Sequence, residues 1–62
     1  SYAVYYATAW NKVDVLKWLI EEARVSYDWD RLWEMVTVKE ARGSTALYIK
    51  GLEREQREAD SD

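Results

Sequence analysis

The chain has 62 residues, with 12 acidic and 9 basic side chains, a net charge of −3 and neither Cys nor His. We therefore expect one small domain, because a chain this short buries only about 60% of its unfolded surface and here has no disulfide or zinc to staple it. The acidic balance disfavours nucleic acid, and no apolar run approaches the ~18 residues of a membrane span. No signal peptide is visible, so a natural protein of this kind would be cytoplasmic. The missing initiator Met predicts a trimmed product, a fragment or a designed chain.

The first segment, Ser1–Ala7, alternates in side-chain size. Tyr2, Val4 and Tyr6 would lie on one side of a strand, and both residue types favour strands. The pattern predicts an N-terminal strand. A short helix is the competing interpretation, because Ala is frequent in the segment.

The stretch from Asn11 to Arg24 predicts an amphipathic helix around which the domain is organised. Asn11 can cap the first turn, and Asp14 can reach back to it in a capping box. Trp10 and Val15 have the spacing of a hydrophobic staple. At about 100° per residue, the apolar side chains fall within one arc: Val13, Val15, Leu16, Leu19, Ile20 and Ala23.

Trp18 breaks this pattern, because it falls on the polar side of the helix between acidic residues. An exposed indole is a candidate anchor for a partner, since Trp is enriched at binding hot spots. The favoured interpretation is that another element or the C-terminal tail covers it.

The segment Val25–Glu34 has two interpretations. Asp28 can cap a short helix whose apolar residues have the spacing i, i+3, i+4, i+7: Trp29, Leu32, Trp33 and Val36. The segment can equally be a connection into a strand, but we expect a helical turn here.

The segment Met35–Leu52 is typical of a β-hairpin. A two-residue turn at Arg42-Gly43 would pair Val38 with Leu47 and would also pair Val36 with Ile49. The competing interpretation takes Gly43 as the end of one helix and the next residue, Ser44, as the cap of another. Both interpretations predict a positive φ at Gly43, and the β-branched run before the turn favours strands.

The last segment, Glu53–Asp62, has no large apolar residue and cannot bury surface by itself. We expect a polar tail that is either a frayed helix or disordered. The globular domain is therefore expected to comprise residues 1–52.

Two pieces of the chain resemble ankyrin repeats. Ala7–Glu21, ATAWNKVDVLKWLIE, is similar to the end of the first repeat helix, the turn and the second helix. Gly43–Ile49, GSTALYI, is similar to the G-x-T-A/P-L-H opening of a repeat. Asn11 stands where the turn usually has Gly, and the two pieces are further apart than the ankyrin period of about 33 residues. The resemblance implies a helical module that binds proteins.

Catalytic and metal sites find little support in the residue types. Asp28, Asp30 and Glu34 are acidic neighbours, but a calcium loop needs Gly at its sixth position, where Trp33 stands. Ser44 lacks a histidine base, and a phosphate loop needs more glycine than the chain has. We expect no enzyme, no metal and no cofactor.

Together these patterns predict a small two-layer α+β domain with an N-terminal strand, a central amphipathic helix and a C-terminal hairpin. A compact all-α domain is the alternative fold. The expected function is a structural or protein-interaction domain, natural or designed, that binds a protein partner or itself. The candidate interface residues are aromatic: Trp18, Trp29, Trp33 and Tyr48. The alternative function is a module that stacks single-stranded nucleic acid on exposed aromatics.

Overall fold

A computed structural model describes residues 1–60, which fold into helices joined by short turns. The helices are α1 (Tyr2–Ala9), α2 (Val13–Lys17), α3 (Trp29–Thr37) and α4 (Gly43–Asp60), and α2 continues as a π-helical segment (Trp18–Glu22). No β-strand occurs in this described part of the chain. The predicted α+β class is therefore wrong, and the all-helical alternative describes the fold.

The predicted N-terminal strand is the helix α1. The Ser1 hydroxyl accepts a hydrogen bond from the backbone N–H of Ala3 at 3.3 Å and caps the first turn. Val4, Ala7 and Thr8 are buried, and their i, i+3, i+4 spacing puts them on one side of the helix. The strand prediction relied on the alternation in side-chain size. The buried residues of this segment instead follow the i, i+3, i+4 spacing of a helix.

The predicted hairpin over residues 35–52 is also wrong. Val36 belongs to α3, and Ile49 is fully buried on α4 instead of pairing with it across a sheet. Val38 and Leu47 are both exposed and form no pair. Thr45, Ala46 and Ile49 are buried at a helical spacing, and burying this side of α4 outweighs the strand preference of the β-branched run.

The turn residue Gly43 has φ +54°, so its predicted positive φ is confirmed, although it begins α4 and does not turn a hairpin. The expected short helix after Asp28 is confirmed as α3. The Asp28 carboxylate accepts from the backbone N–H groups of Asp30 at 3.0 Å and Arg31 at 3.4 Å. This carboxylate also lies at the positive end of the helix dipole, where an anion is stabilising.

The first three helices end at residues with left-handed backbone that are not glycine. These are Asn11 after α1, Arg24 after the π-helical segment and Lys39 after α3. The backbone N–H groups that follow reach back to unpaired carbonyls, as Lys12 does to Ala7 at 2.9 Å. Asn11 is therefore the end of α1, and its predicted role as the N-cap of the central helix is wrong.

The helices form two pairs that stack on each other. The first helical pair, α1 with α2 and its π-helical extension, contacts the second helical pair, α3 with α4. Within this stack α1 contacts α3, and α2 contacts α4. Between the pairs lie the buried apolar residues: Val4, Ala7, Leu16, Leu19, Leu32, Val36, Ala41, Ala46 and Ile49.

The central helix buries a narrower side than the sequence predicts. Leu16 and Leu19 are buried, but Val15 and Ala23 are exposed. The backbone N–H of Ala23 donates to the Trp18 carbonyl oxygen at 2.9 Å, five residues back. This wider turn rotates the last residues relative to a regular helix, so the side of the helix predicted at 100° per residue does not extend to Ala23.

The predicted tail is helical as far as the structure describes it, because α4 continues to Asp60. Ser61 and Asp62 lie outside the described residues. None of the helices within residues 1–60 combines the length and the apolar character that crossing a bilayer requires.

Candidate functional site

An open apolar groove lies between α1 and α2, and its volume is about 390 Å³. Tyr6, Trp10 and Val15 line this groove although each is strongly exposed, with exposed fractions of 66%, 73% and 50%. The groove is also lined by Ala3 and Ala7 of α1, by Leu19 and by Lys12. The two alanines leave space between the larger side chains around them. The result is a concave apolar surface with one charged residue.

Trp18 extends this surface along the central helix. It lies one helical turn after Val15, at a spacing that puts both side chains on the same side of the helix. Trp18 is 58% exposed, so neither another helix nor the described part of α4 covers it. We call Tyr6, Trp10, Val15 and Trp18 together the outer face, because all four are exposed residues of the first helical pair and the turn within it.

A second concavity, the tyrosine cleft, lies between α1 and α3 and has a volume of about 510 Å³. It is lined by aromatic, apolar and charged residues: Tyr2, Tyr5, Tyr6, Ala9, Arg31, Glu34, Met35, Val38 and Glu40. Tyr6 lines both this cleft and the apolar groove. The two concavities are therefore adjacent, on either side of α1.

Arg31 occupies one end of the tyrosine cleft. Its guanidinium lies 4.2 Å from the centre of the Tyr5 ring and 5.5 Å from that of Tyr2. Cations over aromatic faces are attracted by the electrons of the ring. The Tyr5 hydroxyl also accepts a hydrogen bond from the backbone N–H of Asp28 at 2.7 Å, which joins α1 to the start of α3.

Two of the predicted interface residues, Trp29 and Trp33, are part of the packing. Their rings stack with centroids 5.9 Å apart and planes inclined at 22°. Both side chains are half-buried and pack against the core. Trp18, the third tryptophan among the predicted interface residues, is exposed on the outer face.

Tyr48, the fourth predicted interface residue, joins α4 to the central helix. Its hydroxyl donates to the Glu21 carboxylate at 2.7 Å, and the Lys17 ammonium lies 5.6 Å from the ring centre. Burial, followed by the hydrogen bond to Glu21, raises the pKa of Tyr48 above its ordinary value. Burial also raises the pKa of Tyr27, with a smaller contribution from Glu55. These hydroxyls therefore remain protonated over an extended alkaline range.

A third concavity at the start of α4 has a structural explanation. The Asn11 side chain accepts from the backbone N–H of Arg42 at 2.7 Å and donates to the Glu40 carbonyl oxygen at 3.2 Å. Asn11 thereby joins the turn of the first helical pair to the turn of the second. Within residues 1–60 no group of three or more acidic side chains is arranged to hold a metal ion.

Sequence reasoning missed Tyr6, Trp10 and Val15 as surface residues. The strand pattern includes Tyr6, and the staple pattern places the other two over the start of a helix. One signal points to Tyr6 and Trp10: in a helix that begins at residue 2, Tyr2, Tyr6 and Trp10 recur every fourth residue and lie near one another on one side. That side is distinct from the one that contains Val4 and Thr8.

No protein-family model matches the chain, and neither the curated proteins nor the solved structures show a significant similarity to it.

Proposed function

We propose that this chain is a small non-enzymatic protein-interaction domain that binds its partner through the outer face. The observation that carries the proposal is the apolar groove, in which Tyr6, Trp10 and Val15 are exposed side by side. Contiguous exposed apolar surface commonly marks an interaction site. Tyrosine and tryptophan anchors also supply much of the binding energy at protein interfaces.

The shape of the groove favours a helical segment as the partner element. Two helices flank the apolar groove, and an amphipathic helix can insert side chains at i, i+3, i+4 and i+7 into such a groove. The resemblance of Ala7–Glu21 and Gly43–Ile49 to ankyrin repeats supports a protein-binding role as well. The groove is also shallow and open, which favours a protein over a small molecule as its ligand.

A single-stranded nucleic acid is the competing ligand, since exposed aromatic rings can stack bases. Lys12 is the one basic residue that lines the apolar groove. Binding of a nucleic-acid backbone usually depends on several basic residues that neutralise phosphates. The charge of the face therefore favours protein.

Two measurements test the proposal. Sedimentation velocity over a concentration series measures whether the parent associates with itself. Display selection from a random library of peptides of about 16 residues, roughly four helical turns, measures whether the outer face binds other segments. Both are repeated with Val15→Lys, which introduces a charge into the groove while lysine still favours a helix.

The expected result is self-association or peptide capture by the parent and loss of either in Val15→Lys, with unchanged helix content by circular dichroism. Leu47→Lys is the matched control, because Leu47 is also an exposed apolar residue, at 68% against 50% for Val15, but lies on α4 outside the groove. A parent that is monomeric and selects no peptide contradicts the proposal. Salt-sensitive binding of a single-stranded oligonucleotide, with no peptide binding, would favour the competing ligand.

A further inference from the structure

The tyrosine cleft has unpaired charges next to the apolar groove. Glu34 and Glu40 are exposed, and neither carboxylate forms an ion pair or a hydrogen bond with another side chain among residues 1–60. The one basic residue of the cleft, Arg31, contacts the rings of Tyr2 and Tyr5 instead. The cleft therefore contains more carboxylates than cations.

The charged residues follow one another along the cleft, with Glu34 one helical turn after Arg31. Arg31 lies at the end formed by Tyr2 and Tyr5, near the start of α3. Glu40 follows the end of α3 and lies at the opposite end of the cleft. The half of the cleft near the end of α3 is therefore negative.

Tyr6 connects the negative half of the cleft to the apolar groove, because its ring lines both. A segment that lies in the groove and crosses α1 would extend side chains into the cleft. A cation placed there would meet carboxylates and the exposed face of an aromatic ring, and both attract it.

We propose that the partner is a protein segment with a lysine or arginine side chain next to its apolar anchor, and that Glu34 and Glu40 receive this side chain in the tyrosine cleft. The inference rests on the proposed protein-binding function and specifies the chemistry of the partner. A second copy of the chain fits less well, because each copy has a net charge of −3 and association brings like charges together. Rim charges of this kind mainly determine which partner binds.

The experiment compares peptide selections against three proteins. The first is the parent, and the second is the charge-reversed variant Glu34→Lys/Glu40→Lys. The third is the control variant Glu53→Lys/Glu55→Lys, which changes the net charge equally at positions on α4 that do not line the cleft and also removes the ion pair of Glu53 with the exposed Arg57. Circular dichroism verifies that each protein keeps its helices, since the reversed side chains have no partners to lose in the cleft.

Peptides selected by the parent and by the control should be enriched in Lys and Arg relative to the unselected library. Peptides selected by the charge-reversed variant should lose this enrichment and favour Asp and Glu. A lysine-containing peptide from the parent selection should bind the charge-reversed variant about tenfold more weakly, and the difference should shrink in high salt.

Three results would overturn the inference. A parent that selects apolar peptides without basic enrichment leaves the proposed function standing and removes the role of the cleft. Equal loss of enrichment in the control would assign the preference to net charge instead of to the cleft. A parent that selects no peptide overturns the proposed partner. If that parent is also monomeric, the result contradicts the proposed function as well, whereas a parent that only pairs with itself leaves the function standing.

Discussion

The two sides of the first helical pair are built from the same helices and differ in what covers them. Leu16 is fully buried against the second helical pair, whereas Val15, its neighbour in the chain, is 50% exposed on the outer face. On α1, Val4 is buried and Tyr6 is exposed. The buried side supplies the free energy of folding, and the outer face leaves apolar surface available for binding. Apolar character alone therefore does not identify the core of so small a domain.

The largest expected effect comes from the buried side. Leu16→Ala should lower the free energy of unfolding by about 2–5 kcal/mol, because it removes a fully buried side chain and leaves a cavity. A chain this small has little stability to lose, so much of the protein should unfold. The matched control Val15→Ala should change stability by about 0.5 kcal/mol or less. Chemical denaturation measures both, and equal losses would show that the two sides are not distinct.

The turn before α4 should give the next largest effect. Gly43→Ala should destabilise by about 1–2 kcal/mol, because an L-residue is strained at positive φ. A Cβ added at Gly43 meets no atom within 4 Å, so the loss should come from the backbone alone. Lys39→Gly should stabilise the protein by roughly 0.5–1 kcal/mol, because Lys39 has φ +65°, a backbone conformation that glycine adopts more easily. Unchanged thermal midpoints in both variants would contradict these backbone conformations.

A smaller effect is expected from a buried hydroxyl in the core. Thr45 is fully buried, and its side-chain oxygen has no hydrogen-bond partner among the described residues. Thr8 is also fully buried, but its hydroxyl donates to the Val4 carbonyl oxygen at 2.7 Å. Thr45→Val should therefore stabilise by about 1 kcal/mol, whereas Thr8→Val should not. A loss of stability in Thr45→Val would mean that this hydroxyl has a partner.

The smallest effect should appear at high pH, where Tyr48 joins the two helical pairs. Its pKa is raised in the fold, mainly by burial, so ionisation favours the unfolded chain. The contribution of Tyr48 to stability is complete below the pKa of about 10 that tyrosine has in the unfolded chain. It decreases as pH rises through the higher pKa that Tyr48 has in the fold. Tyr48→Phe should therefore flatten the alkaline decrease in stability, measured by urea denaturation at several pH values.

Part of this alkaline decrease should remain in Tyr48→Phe, because the pKa of Tyr27 is raised as well. Tyr6→Phe is the control, since the Tyr6 hydroxyl is on the outer face and makes no hydrogen bond within residues 1–60. An alkaline profile that is unchanged in Tyr48→Phe would contradict the contact with Glu21.

The sequence predicts the helical parts of this fold where capping chemistry is explicit. Asp28 before an apolar run indicated α3, and the periodicity after Lys12 indicated the central helix. It does not predict how the helices end, because Asn11, Arg24 and Lys39 occupy left-handed positions where glycine usually marks the end. Without that signal, the β-branched run at the end of α3, Val36-Thr37-Val38, resembles a strand.

The candidate site is predictable only in part, since exposure depends on tertiary packing. Trp18 stands on the polar side of the central helix, but the sequence favours the interpretation that another element covers it, and the structure instead leaves it exposed. Trp29 and Trp33 have the same residue type, but they stack and pack against the core. Trp10 is exposed because α1 ends just before it and no element within residues 1–60 covers that end of the groove. The sequence contains no local signal for that absence.

The central claim is that the outer face is uncovered in the monomer, and acrylamide quenching of single tryptophans tests it most directly. One variant keeps Trp18 and the other keeps Trp33, with the remaining tryptophans changed to Phe. Both are measured at a concentration where sedimentation velocity shows a monomer and circular dichroism shows intact helices. The account predicts water-like emission and strong quenching for Trp18, with blue-shifted and protected emission for Trp33. Equal protection of the two indoles would contradict it, because another part of the chain would then cover the outer face.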